Sequence, residues 1–109
     1  MALNKSEEFS VDEKQVAIWA KALGHPARVA IIKLLIEKKT CICGDLVMEL
    51  PLSQSTVSQH LKELKEAGLV QGTIDGPKVC YCINTTALQS FSSALAEFVS
   101  CINQQHNCC

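Results

Sequence analysis

Residues 51–68 constrain the fold more than any other stretch of this chain. Pro51 ends the regular structure before it, because its ring fixes φ and removes a backbone donor. Ser53 offers a side-chain oxygen to the first N–H groups of a helix, and Gly68 supplies a stop. Between them Val57, Leu61 and Leu64 recur at i, i+4 and i+7, the spacing of one buried helical face. The opposite stripe, Ser55, Ser58, Gln59 and Lys62, is polar throughout. A short helix over about 44–50, a turn at Pro51 and this two-faced helix form a helix-turn-helix pattern.

The flanking segments complete an architecture. Ser10-Val11-Asp12-Glu13 fits a capping box, and the helix it opens runs to about Leu23 before Gly24. Val16, Ala17, Ile18, Trp19, Ala20, Ala22 and Leu23 spread around almost its whole circumference, so partners are expected on two sides. His25-Pro26 opens a second helix over about 27–37, with Pro at the favoured first position. Residues 40–43 form a short link, compatible with extended backbone. Residues 69–74 and 79–83 flank Asp75-Gly76-Pro77-Lys78, a hairpin signal. Asn84-Thr85-Thr86 offers caps for the last helix, over about 86–103, which carries Leu88, Phe91, Leu95, Phe98 and Ile102 along one seam. The expected fold is a mainly α winged helix-turn-helix, with five helices and a two-stranded β-hairpin wing. It occupies residues 1–109 as a single domain, with the helix-turn-helix at about 44–68 and the wing at about 69–84. Helices at about 11–23 and 86–103 are the expected dimer interface.

Composition narrows the function classes. A chain of 109 residues suits one domain with a modest core, which a dimer would supplement. Its 48% hydrophobic content excludes a disordered chain. No run approaches the roughly 20 apolar residues needed to cross a bilayer, and residues 1–8 lack the apolar core of a secretory signal. The expected location is the cytoplasm, where thiols stay reduced. A net charge of −1 is unlike the basic excess of a non-specific nucleic-acid binder, but local charge steers phosphate contacts, and Lys62, Lys65 and Lys78 cluster near the polar helix face.

That face has the chemistry of a major-groove reader. Gln54 and Gln59 can pair bidentately with adenine N6 and N7. Ser53, Ser55 and Thr56 at the helix start suit phosphate oxygens, with Ser58 beside them and Lys62 and Lys78 adding phosphate contacts. His60 reads either as a base or phosphate contact or as a partly buried polar residue. A merely solvated face would also be polar, but the order helix, turn, helix, wing favours DNA.

Seven cysteines accompany this unit. Cys41 and Cys43 lie just ahead of the helix-turn-helix, where a helix N-terminus would favour the thiolate. Two small buried hydrophobes are the bland alternative. Cys80 and Cys82 alternate with Val79, Tyr81 and Ile83 and so occupy the opposite strand face, as exposed thiols that could ligate, oxidise or do neither. Cys101 sits beside the apolar seam, while Cys108 and Cys109 follow a polar tail. An odd count and C-x-C spacing favour free or metal-binding thiols over a disulfide scaffold.

The runs Leu23-Gly24-His25-Pro26-Ala27-Arg28, Ser53 through Leu64, and Ala67-Gly68-Leu69-Val70 resemble the ArsR/SmtB family of metal-responsive bacterial repressors. The likeness spans about Val16 to Asn84. It implies a homodimeric winged-helix repressor that binds palindromic double-stranded operator DNA and releases it on binding a metal or metalloid. Cys41-Ile42-Cys43-Gly44-Asp45-Leu46 resembles the cysteine box of arsenic- and cadmium-sensing members, which assigns Cys41 and Cys43 as ligands. In arsenic-responsive members a third cysteine commonly follows; here Leu46, Val47 and Met48 stand in that region, so a third thiol must come from elsewhere. Cys108, Cys109 and Cys101 are the first candidates, as some members hold their metalloid on the last helix, and Cys80 and Cys82 are the second. The N-terminal arm lacks the cysteines of cadmium-type members, and Ser92, Ser93 and Glu97 do not make the zinc set of the last helix.

The expected inducer is As(III) or Sb(III), which are soft and thiophilic, with Cd(II), Zn(II) or Pb(II) as alternatives and no organic cofactor. A persulfide- or oxidant-sensing repressor would use the same thiols. An enzyme is disfavoured, because a catalytic cysteine needs a base at hand, His25 is committed to opening a helix, and C-x-x-C is absent.

Overall fold

The computed structural model describes residues 8–38, 42–43, 50–73 and 80–104, with backbone alone at 42–43, 73 and 103–104. The elements run α1 (Val11–Ala22), α2 (Pro26–Lys38), β1 (Ile42–Cys43), α3 (Gln54–Glu66), β2 (Val70–Thr73), β3 (Cys80–Ile83) and α4 (Thr85–Gln104). Four helices, not five, are present among the described residues; the short helix expected over 44–50 falls almost wholly on 44–49, outside them.

Local chemistry sets each boundary. Ser10 Oγ accepts the Glu13 N–H at 3.0 Å and Glu13 Oε1 accepts the Ser10 N–H at 2.9 Å, closing the capping box of α1. His25 caps α2: its Nδ1 accepts the Ala27 N–H at 3.0 Å, and its carbonyl accepts from Arg28 and Val29. At the end of α3, Leu69 N–H reaches Leu64 O at 3.0 Å and Gly68 N–H reaches Lys65 O at 2.9 Å, the two bonds of a Schellman turn. Gly68 has the positive φ of 84° that this turn needs. Leu69 and Leu64, both fully buried, make the apolar contact that accompanies it. Asn84 joins three elements. Its Nδ2 donates to Gly68 O at 2.9 Å, its N–H donates to Leu69 O at 2.9 Å, and its Oδ1 caps α4 through Ala87 N–H at 3.2 Å.

The sheet has three strands in the order β1-β3-β2, one more than the two-stranded wing expected from sequence. The stretch read as a link over 40–43 contains an edge strand, and Ile42 pairs with Tyr81 and Cys43 with Cys80, antiparallel. On the other side Val70, Gln71, Gly72 and Thr73 pair with Ile83, Cys82, Tyr81 and Cys80. An isolated two-stranded ribbon is marginal in water, so a third strand and a covering core stabilise the wing. That core takes Ile31, Ile32 and Leu35 from α2, Val57, Leu61 and Leu64 from α3, and Leu69, Val70 and Tyr81 from the wing. In a single protomer α1 is only partly enclosed: Ala22 is buried and Trp19 stacks tilted on Phe91 at 5.5 Å, but Ala17, Ile18 and Ala20 are exposed.

Gly72 is the position where the sheet requires glycine. Its φ is 129°, and an added Cβ would strike the Cys80 carbonyl oxygen and lie 2.8 Å from Tyr81 Cα. Gly72→Ala is expected to destabilise the protein by about 1–3 kcal/mol or more through backbone strain. Gln71→Ala, exposed on the same strand, should stay within about 0.5 kcal/mol of wild type; urea denaturation of both checks the contrast.

His60 is 8% exposed and lies on the inner side of α3, so the alternative of a groove contact gives way to that of a buried polar residue. Arg28 Nε donates to its Nδ1 at 3.1 Å while Arg28 Nη1 donates to Ala22 O at 3.2 Å, tying α3, α2 and the end of α1 together. The His25 ring lies 4.5 Å away. Burial, then the neighbouring His25 and Arg28, hold the His60 pKa below its ordinary value of 6.5, against a smaller opposing pull from Glu63. A proton on Nδ1 would also cancel the bond from Arg28. The unfolded chain therefore binds a proton at His60 before the folded one, and its contribution is complete above the unfolded pKa and lost as pH falls. The melting temperature should drop as pH is lowered through about 6.5 and below, and His60→Gln should flatten that part of the profile in thermal scans.

Candidate nucleic-acid interface and thiol cluster

The outward side of α3 presents a nearly continuous polar surface. Gln54, Ser55, Gln59 and Lys62 are exposed, and Thr56 and Ser58 are half-buried at its margin. Ser53 organises the helix start: its Oγ accepts the Thr56 N–H at 3.3 Å and lies 3.2 Å from Ser55 Oγ and 2.9 Å from Thr56 Oγ1. These hydroxyls gather at the positive end of the helix dipole, an arrangement suited to an anionic oxygen. Gln59 Nε2 reaches Glu63 Oε1 at 3.5 Å, the outer limit of a hydrogen bond. So loose a contact leaves the Gln59 amide able to turn toward a base edge. Lys78, at the expected wing tip, lies outside the described residues.

The thiols divide by position. Cys41, Cys108 and Cys109 lie outside the described residues. Cys43 is the second residue of β1, with its Cα opposite that of Cys80. Cys80 and Cys82 are half-buried, and both are disulfide-bonded, which corrects their reading as exposed, unbonded thiols. β1 runs beside β3 and sets Cys43 against the wing. Cys101 is free and exposed on α4 in the single protomer. Among the described residues no three His, Cys, Asp or Glu side chains gather as an ion site.

Residues with structural consequence that the sequence reading passed over are Arg28 and Gly72. Arg28 was quoted only as part of a motif; a cation three residues into an apolar helix is a signal that it has a buried acceptor. The matched C-x-C spacing at 41–43 and 80–82 was a further signal, since alternate residues on paired strands share a face.

The distal half of α4 exposes Leu95, Phe98, Val99 and Ile102, and Phe9 just ahead of α1 and Val11 and Ile18 on it are exposed as well. The inner half of the expected seam, Leu88 and Phe91, packs against the protein's own core or is buried. No helix among the described residues is long and apolar enough to cross a membrane.

Residues 25–71, from the start of α2 to the start of β2, match the family of bacterial regulatory proteins of the arsR type. The chain is 31% identical over 96 residues to the HTH-type transcriptional regulator CmtR of Mycobacterium bovis, covering 88% of this chain and 80% of that one. It is 46% identical over 61 residues to the HTH-type transcriptional repressor SmtB of Mycobacterium tuberculosis, covering 56% of this chain but only 44% of SmtB. The crystal structure of NolR from Sinorhizobium fredii superposes with a TM-score of 0.61 at 28% identity, covering 90% of this chain and 93% of that one. These relatives are DNA-binding transcription regulators and not enzymes. The fold is accordingly a winged helix-turn-helix, and the chain belongs to the ArsR/SmtB family of transcriptional regulators.

Proposed function

We propose that this protein is a repressor that holds operator DNA as a homodimer and lets it go when cysteine thiolates, Cys41 and Cys43 foremost, capture a soft ion, with As(III) or Sb(III) as the expected inducer. The observation that carries the DNA half is the exposed polar face of α3 with its Ser53-centred hydroxyl cluster. Gln54 and Gln59 read base edges from that face, while Ser53, Ser55 and Thr56 orient the helix start on a phosphate and Lys62 adds charge. His60 stays outside the reading set and positions the helix through Arg28.

A dimer is supported by the apolar surface of Leu95, Phe98, Val99 and Ile102, which a lone protomer leaves in water. Two protomers give two reading helices, and a palindromic operator mirrors that symmetry.

The donor chemistry favours a soft ion. The candidate ligands are sulfur, which suits trivalent arsenic or divalent cadmium, lead or zinc far better than hard cations that prefer oxygen. When bound, such an ion supplies a fixed link between thiolates. The protein's part is to present those thiolates from the segment ahead of α3, so that drawing them together alters the spacing of the reading helices. The Cys80 and Cys82 disulfides favour a second reading, in which thiol oxidation triggers release from the same region.

Operator anisotropy on reduced protein tests the reading. Arsenite should weaken operator binding about 5- to 150-fold, equivalent to a coupling of about 1–3 kcal/mol. Cys41→Ser with Cys43→Ser should remove that response and leave ion-free operator binding intact; unchanged affinity in wild type overturns the ion-sensing half. Gln59→Ala should cost about 1–3 kcal/mol of operator discrimination, measured by the same anisotropy on matched and mismatched sites.

A further inference from the structure

We infer that the wing strand supplies thiolates to the ion site: Cys80, with Cys82 beside it, faces Cys43 across the β1–β3 ladder and completes the site within one protomer. The inference rests on the ion-sensing reading above and names the missing ligand of that site.

Three observations converge. The register sets Cys43 directly opposite Cys80, and the neighbouring pair is Ile42 with Tyr81. Covalent continuity makes Cys41 the residue before Ile42 and Cys82 the residue after Tyr81. Cys82 therefore shares the strand face of Cys80. Second, Cys80 and Cys82 are each in a disulfide, so each sulfur has another sulfur beside it. Residues two apart on one strand are separated by about 6.8 Å, the outer limit of Cα separation for a bond to each other. Cys101 is free and takes no part. Of the remaining cysteines, Cys43 is the one whose backbone the sheet sets against β3. Third, Cys80 and Cys82 are half-buried, which limits water at the site without closing it to an entering ion.

The reach is sufficient. Directly opposed residues in an antiparallel ladder hold their Cβ atoms about 4.5–5.5 Å apart. A thiolate–zinc bond is about 2.3 Å, so one ion of that size spans two opposed sulfurs without moving either strand. Cys43 on β1 with Cys80 and Cys82 on β3 offers three thiolates to a pyramidal trivalent ion. Cys108 and Cys109 are then not needed as ligands.

The consequence for regulation follows from topology. β3 is the central strand and is paired with β2, which follows α3 through the Gly68–Leu69 turn. A link between β1 and β3 joins the segment ahead of the helix-turn-helix to the wing behind it. The two parts that grip DNA then move as one piece. Ion binding belongs to the reduced protein: each disulfide must regain two electrons and two protons, which a phosphine with water provides while becoming phosphine oxide.

The test is titration of arsenite, and separately of Cd(II), into full-length protein reduced by a phosphine and then freed of it without air. Thiolate-to-ion ultraviolet absorbance, ion affinity and operator anisotropy are read on each sample. Cys80→Ser should weaken ion binding beyond the roughly 10- to 100-fold that loss of a mere supporting partner causes, and should lower the sulfur count at arsenic, read by X-ray absorption, from three to two. Cys80→Ala must reproduce the loss with a native circular dichroism spectrum and wild-type operator affinity, which separates ligation from misfolding. Wild-type affinity and sulfur count in Cys80→Ser and in Cys80→Ser with Cys82→Ser, or loss confined to Cys108→Ser with Cys109→Ser, overturns the inference. Absence of ion binding in wild type overturns it together with the ion-sensing reading. Binding that depends on Cys80 but leaves the operator bound supports the site and overturns the regulatory function alone.

Discussion

Strand β3 is hydrogen-bonded along both edges, and the rest of the domain takes its positions from that fact. On one side it holds β1, the last described segment ahead of the helix-turn-helix. On the other it holds β2, which leaves α3 through a Schellman turn. Its end passes through Asn84 into α4, and Asn84 is bonded back to Gly68 and Leu69. Tyr81, 1% exposed, occupies the middle of the strand and buries its ring against the same core that receives Val57, Leu61 and Leu64. The close approach of β2 to β3 at Gly72 is a condition of this arrangement, since a side chain there would meet backbone on both Cys80 and Tyr81.

The reading helix is therefore fixed at several points independent of DNA. Its apolar face lies in the core, its C-terminal turn is locked to the wing, and its inner edge is tied to α2 by the Arg28–His60 bond. The outward stripe is left free to meet a groove because everything else on the helix is committed. Such a helix cannot adjust by itself; a change in grip has to come through the elements that hold it, or through the relation between two protomers. That makes the strands flanking it a more direct route to control than the helix surface.

How much of this was legible in sequence depended on whether the signal was local. The Ser10 capping box, the Gly68 stop, the Asn84 cap region and the two faces of α3 are set by residues within a turn or two of one another, and each is found as read. The existence of β1 was not local. Ile42 and Cys43 form a two-residue strand that has no periodicity to read and exists only because β3, nearly forty residues later, offers a free edge. His60 was equally ambiguous: on α3 it falls between the apolar and polar stripes, and its burial is decided by Arg28 and His25 arriving from another helix. On α1, Ala17, Ile18 and Ala20 are exposed in a single protomer, on the side for which the sequence calls for a second partner.

Placing thiols on strands rather than helices has a physical consequence. On a helix, residues i and i+2 point in different directions, so a C-x-C pair cannot readily converge on one ion. On a strand the same spacing puts both residues on one face, and a second C-x-C on the neighbouring antiparallel strand lines up opposite it. In this sheet the register sets Cys43 opposite Cys80, and Cys82 lies on the same face of β3. An array of that kind responds in two ways with the same atoms: reduced, it offers soft donors; oxidised, it closes by covalent bonds. Either event tightens the β1–β3 contact. Because β3 also carries the wing and anchors α4 through Asn84, a local change at the thiols acts on the elements that hold the reading helix in place, and it needs no longer path through the core.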